Sequence, residues 1–416
     1  MKPTEKKPNG RGVVLSTITF YPEISGTGQI LTDLALSLAE KGMSVRVYTA
    51  QPHYYEKHER LPAKENYGGV EIRRITSTTL NKNNRLGRIL NWSSFALSAF
   101  FKLLRDPSRY PYLIVSSPPV LPYIGWLVHL LTRKPYILLI HDVYPDIGVK
   151  LGFFRKNGPT VWLWKQLNKL AYRGASKIIV LASDMAPIVA LQMGKKSENG
   201  KIQVIHNWAD ESFIHPFQKG DSLFLQQNPV PFRFLVQYSG NLGFNHDLEP
   251  LIEAARRFQG ENIGFLFIGE GGKKEKLQAL VRAYGLSNVL FFPFQSRDLL
   301  PHLLCASDLS VVTLEQGLEG LAVPSKFYSI LASGRPLLAL LGENCEMAQM
   351  IRKYQCGFVV PQGNTEAIVQ ILKQCTENPA AIKTMGENAR RCFLDHYTRA
   401  QAAQKYQEIL TSVTAG

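Results

Sequence analysis

Short apolar segments that alternate with helical patterns constrain this fold more than any other feature of the sequence. Residues 12–19 (GVVLSTIT) predict a strand, residues 30–41 predict an amphipathic helix closed by Gly42, and residues 44–49 (SVRVYT) predict the next strand. This strand–helix–strand order is a βαβ unit, which produces a parallel sheet with right-handed crossovers. The chain is therefore predicted to be an α/β protein.

The same pattern ends near the middle of the chain and then begins again. Further strands of the first series are predicted at 69–76, 135–141, 176–181 and 201–205, and those of the second at 232–239, 263–268, 288–292, 308–313 and 336–341. A length of 416 residues suits two domains of about 200 residues each. We predict a first domain over 1–207, a linker over 208–231 that is rich in Gln, Asp, Pro and Gly, and a second domain over 232–397.

Composition limits the class of protein and the kind of partner. Hydrophobic residues make up 45% of the chain and charged residues 19%, so it can bury substantial cores. The net charge of +15 calls for an anionic partner: nucleic acid, a membrane surface or a phosphorylated substrate. No basic run or nucleic-acid motif favours the first. Five cysteines without CxxC spacing argue against a disulfide framework or a zinc site and favour a reducing cytosol.

Two stretches bear on membrane association. Residues 112–131 carry no formal charge over a length that could span a bilayer, but Pro118, Pro119 and Pro122 interrupt them, so we predict a strand, a loop and an apolar helix. Residues 85–105 place basic side chains around an uncharged aromatic centre. Such a helix suits a membrane interface, although a domain helix with its apolar face on the sheet gives the same pattern, and both can hold.

The stretch from Glu315 to Pro336 is predicted to be a turn that leads into a short helix. Glu319 supplies a carboxylate on the bend, Pro324 and Ser325 suit the first positions of the helix, with Ser325 as a cap, and Gly334 ends it. Free N–H groups at a helix start favour an anion, and Lys326 adds a positive charge. From these residues alone, an ordinary core helix and a phosphate site are equally good interpretations.

The order of these residues resembles the donor-binding signature of retaining glycosyltransferase family 4, whose members have the GT-B fold. The signature consists of Glu-Gly, Pro-Ser-Lys, Tyr and Ala-x-Gly-x-Pro, and its Pro-Ser-Lys variant resembles bacterial transferases that build exopolysaccharide, capsule or O-antigen repeat units. Glu319 matches the first Glu of the family pattern. Ser329 stands where the family has its second Glu, the usual carboxylate contact to the nucleotide ribose.

The resemblance implies a role for each matching position around the donor. Glu319 would contact the donor sugar and stabilise positive charge at its anomeric carbon. Lys326 would be the main cation on the diphosphate, because Asn241 and Asn245 stand where most members have an Arg and a Lys. His246 could help if it is protonated. The other donor-binding positions implied are Ser325, Ser329, Gly240, Gly269, Gly271 and Phe294, of which the last three would frame the base.

The resemblance also implies a site in the first domain. Gly26 and Gly28, in a predicted loop after the first strand, would lie between the donor phosphates and the acceptor. The apolar strand 135–141 ends in His141 and Asp142, at the carboxyl end where open α/β sheets bind ligands. A lone His is often only a structural residue, but in the family this one lies close to the transferred sugar. His141 is predicted to be catalytic, and Asp142 to contact sugar or acceptor.

Together these features predict a GT-B protein in which two Rossmann-like domains face a cleft and the final helix, about 398–412, crosses back onto the first domain. The predicted activity is metal-independent, retaining transfer of a sugar from a UDP-, GDP- or dTDP-linked donor, without a cofactor. The predicted acceptor is a lipid-linked saccharide at the cytoplasmic face of the cell membrane. Two alternatives remain open: a sugar-nucleotide 2-epimerase of the same architecture, and a non-catalytic membrane-associated protein that binds nucleotide sugar.

Overall fold

The computed structural model describes residues 11–23, 26–52, 60–80, 85–194 and 200–414. It divides into two compact units. Unit 1 comprises the chain up to His206, together with Leu321–Val323 and everything from Arg399 onward. Unit 2 comprises Asn207–Gly320 and Pro324–Thr398. The predicted linker, 208–231, thus falls within unit 2.

Unit 1 is built on an eight-stranded sheet in the order β3-β4-β2-β1-β5-β6-β7-β8. Every neighbouring pair is parallel except the β3–β4 hairpin, so the sheet follows from the repeated βαβ pattern. Its strands are β1 (Gly12–Ser16), β2 (Ser44–Thr49), β3 (Lys64–Tyr67), β4 (Val70–Arg74), β5 (Tyr112–Val115), β6 (Tyr136–Ile140), β7 (Lys177–Val180) and β8 (Ile202–Val204).

Helices flank this sheet because each parallel connection needs a crossover. They are α1 (Gly26–Glu40), α2 (Arg85–Leu104), α3 (Leu121–Thr132), α4 (Asp146–Lys150), α5 (Pro159–Gly174) and α6 (Met185–Met193). The helices α2, α3, α5 and α6 pack against one another in series. Residues 321–323 join this unit near the end of β6, where the Val143 N–H donates to the Leu321 carbonyl at 2.9 Å.

Unit 2 is built on a six-stranded, fully parallel sheet in the order β11-β10-β9-β12-β13-β14. Its strands are β9 (Phe234–Ser239), β10 (Ile263–Ile268), β11 (Val289–Phe292), β12 (Leu309–Thr313), β13 (Leu337–Leu340) and β14 (Gly357–Val360). Its helices are α7 (Leu223–Gln227), α8 (Glu249–Arg257), α9 (Lys274–Tyr284), α10 (Leu300–Leu304), α11 (Lys326–Ala332), α12 (Glu346–Tyr354), α13 (Thr365–Glu377) and α14 (Pro379–His396).

The last helix, α15 (Arg399–Thr414), belongs to unit 1 although unit 2 precedes it in the chain. It packs against α1. At its start the Arg399 guanidinium donates to the Ser37 hydroxyl at 2.5 Å and lies 3.3 Å from the Glu40 carboxylate. The predicted fold class is confirmed: two Rossmann-like α/β domains with parallel sheets, and a final helix that returns to the first.

Two local predictions meet different outcomes. The predicted start of the first helix at residue 30 is wrong, because α1 begins at Gly26 and places Gly28 in its buried face. Tertiary packing of that face outweighs the low helix propensity of glycine. Residues 112–132 form a strand, a Pro-containing turn and α3, as predicted. Among the described residues, no helix is both long enough and apolar enough to span a membrane.

Candidate functional site

The carboxyl edge of the unit 2 sheet carries two glycine loops that lie directly against each other. A Cβ on Gly269 would stand 2.1 Å from the Gly240 carbonyl oxygen, and one on Gly271 would stand 2.4 Å from the Leu242 backbone. Both glycines have positive φ values, 137° and 157°, which side chains disfavour. The Leu242 N–H donates to the Glu270 carbonyl at 2.8 Å. The structure therefore brings Gly240, Gly269 and Gly271 together after neighbouring strands β9 and β10.

The Asn241 side chain lies on this loop pair. Its Oδ1 is 2.6 Å from the position of a Cβ on Gly271, and its Nδ2 is 2.7 Å from that of a Cβ on Gly243. The residue itself is exposed. Asn241 thus supplies an amide, and no charge, at the place where the resembled family has an arginine.

Lys326, the first residue of α11, reaches the same place. Its Nζ lies 3.3 Å from the position of a Cβ on Gly240 and 3.5 Å from the centroid of the Tyr238 ring. The Nζ is buried and has no hydrogen-bond partner within the described part of the chain. Burial therefore lowers the pKa of the Lys326 ammonium well below its usual value. A buried cation with free N–H groups beside a glycine loop is suited to hold an oxyanion.

His246 does not add a second positive charge. Its Nδ1 lies 2.9 Å from the Thr313 carbonyl oxygen, and the side chain is buried. Burial, together with the nearby Lys326 and Lys273 cations, lowers the pKa of His246 to about 3. The expectation that a protonated His246 assists Lys326 is therefore wrong at neutral pH, because a third charge would have to be desolvated beside two cations.

Lys273 is the second cation at this edge, and it is fully engaged. Its Nζ donates to the His246 carbonyl at 2.7 Å, to Glu249 at 3.0 Å and to Glu315 at 2.5 Å. The carboxylate oxygens of Asp247, Glu249 and Glu315 approach within 4.8 Å of one another. The Lys273 ammonium bonds two of the three, so these carboxylates hold an internal cation.

The two serines of the motif take no part in capping. Ser325 occupies the N-cap position of α11, but its side chain makes no cap hydrogen bond, because its backbone is already helical (φ −59°, ψ −24°). The predicted Ser325 cap is therefore wrong. The Ser329 hydroxyl donates to the Lys326 carbonyl at 3.1 Å. Ser329 thus bonds within its own helix, as serine often does.

Glu319 is bonded to the main chain on both sides. One carboxylate oxygen accepts from the Gly317 N–H at 2.9 Å and the other from the Gly342 N–H at 2.8 Å. The Gln362 side-chain amide also donates to Glu319. No ion pair to this carboxylate occurs among the described residues. Glu319 therefore fixes the loop before α11 to the loops after β13 and β14, whatever else it does.

Two phenylalanine rings are exposed at the same edge. Phe294, predicted to frame the base, follows β11 and is exposed. Phe244 follows the Gly240–Gly243 loop, and its ring lies over Gly272, where a Cβ would be 2.5 Å away. Exposed aromatic rings beside a glycine loop are suited to stack on a planar base or a sugar. The sequence analysis did not single out Phe244.

In unit 1, His141 follows β6 directly. Its backbone N–H donates to the Ser116 hydroxyl at 2.9 Å, and this bond joins the ends of β6 and β5. Its Nε2 is buried and has no hydrogen-bond partner among the described residues. Burial lowers the pKa of His141 to about 4, so the ring is neutral at neutral pH, and raises the pKa of the neighbouring Asp142 to about 6. A neutral imidazole nitrogen without a partner can accept a hydrogen bond from a ligand hydroxyl or donate one to it, according to its tautomer.

Gly26 and Gly28 lie in the first turn of α1. Gly28 is buried, and its carbonyl accepts from the Thr32 hydroxyl at 2.7 Å, whereas Gly26 is exposed. The expectation of a glycine loop is thus wrong for these two residues. They belong to α1, the element that follows β1 in the chain, and to the same unit as His141.

Sequence reasoning missed the contacts that organise the site. Tyr238 carries the Lys326 ammonium on its ring face, and Gln362 binds Glu319. The strand pattern places Tyr238 in the buried face of β9, which explains its burial and gives no hint of a cation above it. Gln362 is 43 positions from Glu319 in the chain, and only the fold brings the two together.

Comparisons with known proteins agree with this architecture. Residues 25–208 match the family described as "Glycosyl transferase 4-like domain", and residues 226–392 match "Glycosyl transferases group 1". The two matches fall on the two halves of the fold. The chain belongs to the glycosyltransferases with the GT-B fold.

The relatives of this glycosyltransferase are themselves named as glycosyltransferases. It is 28% identical over 392 residues to the colanic acid biosynthesis glycosyl transferase WcaI of Escherichia coli K12, covering 91% of this chain and 95% of that protein. Among solved structures, it is similar to sucrose-phosphate synthase of Thermosynechococcus elongatus, with a TM-score of 0.76, 15% identity and coverage of 97% and 99%.

A second solved structure holds a nucleotide sugar. The Anabaena protein HepE in complex with UDP-glucose gives a TM-score of 0.73 at 17% identity, covering 97% of this chain and all of that one. At this identity the likeness concerns the fold alone. Neither the epimerase nor the non-catalytic alternative is favoured by these names.

Proposed function

We propose that this glycosyltransferase transfers a sugar from a nucleoside diphosphate donor to a lipid-linked saccharide during synthesis of a cell-surface polysaccharide. The observation that carries the proposal is the buried, unpartnered Lys326 Nζ, 3.3 Å from where a Cβ on Gly240 would stand. An ammonium in such a place gains most from a ligand that brings its own negative charge. The diphosphate of a UDP-, GDP- or dTDP-sugar is such a ligand.

The proposed reaction gives roles to few residues. The bond between the anomeric carbon and the diphosphate oxygen breaks, and the diphosphate leaves with both electrons. The oxygen of an acceptor hydroxyl binds the anomeric carbon with retained configuration, and its proton passes to the leaving diphosphate. Lys326 stabilises the charge that develops on the leaving diphosphate, without requiring a divalent metal. Glu319, His141 and Asp142 are proposed to contact the sugar or the acceptor. Gly269, Gly271 and Phe294 are proposed to frame the base.

The lipid-linked acceptor is supported by the surface of unit 1. One face of α2, with Phe95, Ala99 and Leu103, is buried in the domain, while Leu86, Ile89, Leu90, Leu97 and Phe101 are exposed on the other. The neighbouring helices expose apolar side chains as well: α3 exposes Leu127, Leu130 and Leu131, and α5 exposes Trp162, Leu163 and Leu170. Leu97 is 59% exposed and Trp162 is 64% exposed, which is costly in water and favourable at a bilayer interface.

Charge in the same segment favours an anionic bilayer. Between Arg85 and Lys177 the chain has 14 lysines and arginines, three aspartates and no glutamate. Two of these aspartates are paired: Asp106 with Arg46 at 2.7 Å and Asp146 with Lys165 at 2.9 Å. The segment therefore carries most of the net charge of the protein. We propose that the helix layer α2, α3 and α5 contacts the inner face of the cell membrane, where the acceptor is anchored.

A donor screen followed by a transfer assay tests the proposal. Purified protein is heated with UDP-, GDP- and dTDP-sugars, and a donor at a hundred times its Kd is expected to add about 2.7 kcal/mol to the free energy of unfolding. The stabilising donor, radiolabelled in the sugar, is then incubated with membrane lipids. Label is expected in the lipid fraction, and NMR of the product is expected to show the anomeric configuration of the donor.

Two outcomes contradict the proposal. Conversion of the donor to its epimer without an acceptor identifies an epimerase. Donor binding without turnover, with every lipid fraction of a polysaccharide-producing cell supplied, identifies a binding protein.

A further inference from the structure

The Lys326 ammonium rests on an aromatic ring. The distance from its Nζ to the centroid of the Tyr238 ring is 3.5 Å, whereas the other cation–ring pairs among the described residues lie 5.1–5.9 Å apart. At this distance the cation touches the negative face of the π-system. The same Nζ lies 3.3 Å from the position that a Cβ on Gly240 would occupy, so the ring holds it beside the glycine loop.

The ring itself is held firmly. Tyr238 lies one residue before the end of β9 and is buried in the unit 2 core. Its hydroxyl donates to the Asn241 carbonyl at 2.7 Å, and the rings of His246 and Phe267 lie 5.8 Å and 6.5 Å from its own. The same side chain therefore fixes the Gly240–Asn241 loop by its hydroxyl and supports Lys326 by its face.

Lys273 shows how a carboxylate partner would differ from the aromatic ring that supports Lys326. A carboxylate partner would also hold a lysine in place, as Glu249 and Glu315 hold Lys273, but it would neutralise the charge and compete with an incoming anion. An aromatic face attracts the ammonium and accepts none of its three N–H groups strongly. The Lys326 cation is thereby kept at one position with its donors available.

We propose that Tyr238 is the positioning residue for Lys326, and that its ring holds the ammonium ready for the diphosphate of the donor. This inference rests on the proposed function, because it takes a diphosphate as the ligand of Lys326. Nothing else in the described structure explains why a tyrosine in a hydrophobic core has a lysine Nζ over its ring.

The proposal can be tested by variants that lower the negative charge on the face of the ring and largely keep the shape of the ring. Tyr238→Phe keeps the ring face, and a trifluorinated phenylalanine at position 238 withdraws its negative charge. The probes are UDP, inorganic pyrophosphate and uridine, measured by calorimetry. Tyr238→Phe removes the hydrogen bond to the Asn241 carbonyl and serves as the reference for the loss of the hydroxyl. Relative to Tyr238→Phe, we expect the fluorinated ring to weaken binding of UDP and pyrophosphate about 3- to 30-fold and to leave uridine binding unchanged.

Two controls separate the ring effect from a loss of fold. The same fluorinated residue in place of Phe265, another buried ring of the same hydrophobic cluster, is expected to leave all three affinities unchanged. In Lys326→Met, fluorination at position 238 is expected to have no further effect on UDP binding, because the two changes remove one interaction.

Each result decides between the two proposals. Equal binding of UDP by the Phe and fluorinated variants overturns the role of Tyr238 and leaves the proposed function intact. Lys326-dependent binding of pyrophosphate, sensitive to fluorination but with no nucleotide bound, overturns the proposed function and supports the role of Tyr238. Failure of the wild type to bind either diphosphate overturns both.

Discussion

The Gly342 N–H donates a hydrogen bond of 2.8 Å to the Glu319 carboxylate and so joins the loop after β13 to the loop before α11. The Gly317 N–H donates to the other carboxylate oxygen at 2.9 Å. A larger residue at position 342 would have to displace this carboxylate, because a Cβ there would stand 2.9 Å from Glu319 Oε1. Glu319 therefore has a structural role, and a test of its proposed catalytic role has to separate the two effects.

Glu319→Gln is the variant that makes this separation. If the charge acts on the donor sugar, kcat should fall by about two decades or more, with donor affinity less affected. The amide NH₂ also faces a backbone N–H in the variant, so the free energy of unfolding should fall by about 1–3 kcal/mol. Single-turnover kinetics and urea unfolding measure the two effects.

Glu343→Gln is the matched control, because Glu343 is exposed on the same loop and pairs with Arg352 at 3.4 Å. It should change neither kcat nor stability beyond about 0.5 kcal/mol. Near-wild-type turnover in Glu319→Gln, accompanied by the loss of stability, would leave Glu319 a structural residue only.

Asp142 predicts a pH dependence of stability. Burial raises its pKa in the folded protein to about 6, above the usual value of an unfolded Asp. The folded state therefore holds this proton more tightly, so the contribution of Asp142 is most favourable below about pH 4 and is lost as the pH rises through 6. Asp142→Asn should be more stable than the wild type at pH 7.5, on the order of 1–3 kcal/mol, and equal to it near pH 4.

Urea unfolding at the two pH values checks this prediction. Asp146→Asn, four residues further on, serves as the control, since Asp146 pairs with Lys165 at 2.9 Å and should not gain stability from the change. A difference between Asp142→Asn and wild type that is the same at both pH values would argue that the Asp142 carboxylate does not titrate as its burial implies.

The fold was accessible from sequence because its signals are local. Buried parallel strands such as Ile263–Ile268 are apolar throughout and are bounded by Gly or Pro, so their limits can be predicted almost to the residue. The start of α1 was missed because Gly26 and Gly28 are poor helix formers that only packing keeps helical. The extra strand β3 escaped notice because Lys64–Tyr67 is polar and lies at the sheet edge.

The candidate site could be predicted from the sequence only in part, because many of its contacts join residues that are far apart in the chain. Gly240, Gly269 and Lys326 were named from the family resemblance, and the structure brings these three residues together at the carboxyl edge of the sheet. The partners of these residues come from distant positions, as Tyr238 does for Lys326 and Gly342 for Glu319. Charge states depend on such partners as well, which is why the neutral form of His246 could not be foreseen.

The proposed contact of α2 with the membrane can be tested with liposomes. Replacement of Arg85, Arg88, Lys102 and Arg105 together by Gln should move the protein from anionic liposomes into the supernatant, since each basic residue contributes on the order of 1 kcal/mol at such a surface. Sedimentation with vesicles of stated phosphatidylglycerol content measures the shift. Phosphatidylcholine vesicles should bind neither protein well.

A charge-matched variant of unit 2 is the control for this experiment. It replaces four exposed basic residues there by Gln: Arg256, Arg282, Lys373 and Lys383. This variant should sediment with the liposomes as the wild type does. Equal sedimentation of both variants and the wild type would exclude α2 as the membrane anchor.

Lys326 leads to a prediction in which loss of function accompanies a gain of stability. Its buried ammonium lacks a hydrogen-bond partner, and burial lowers its pKa well below the usual value, so the folded, empty protein bears a desolvation cost. Lys326→Met should therefore unfold at a higher urea concentration, by about 1–3 kcal/mol at pH 7, and should lose the stabilisation by UDP that the wild type shows.

The pH dependence has a definite sign. The unfolded chain keeps the Lys326 proton up to about pH 10, whereas the folded protein releases it at a lower pH because burial lowers the pKa. Between the folded and the unfolded pKa, the free energy of unfolding of the wild type should therefore rise with pH. The difference in free energy of unfolding between the wild type and Lys326→Met should narrow over the same range. Lys273→Met is the matched control. Lys273 donates to two carboxylates at 2.5 and 3.0 Å, and its removal strands both, so that variant should be less stable than the wild type. If Lys326→Met is less stable than the wild type, as expected for Lys273→Met, the Lys326 ammonium has a partner in the folded protein. Its donors are then not available to a diphosphate.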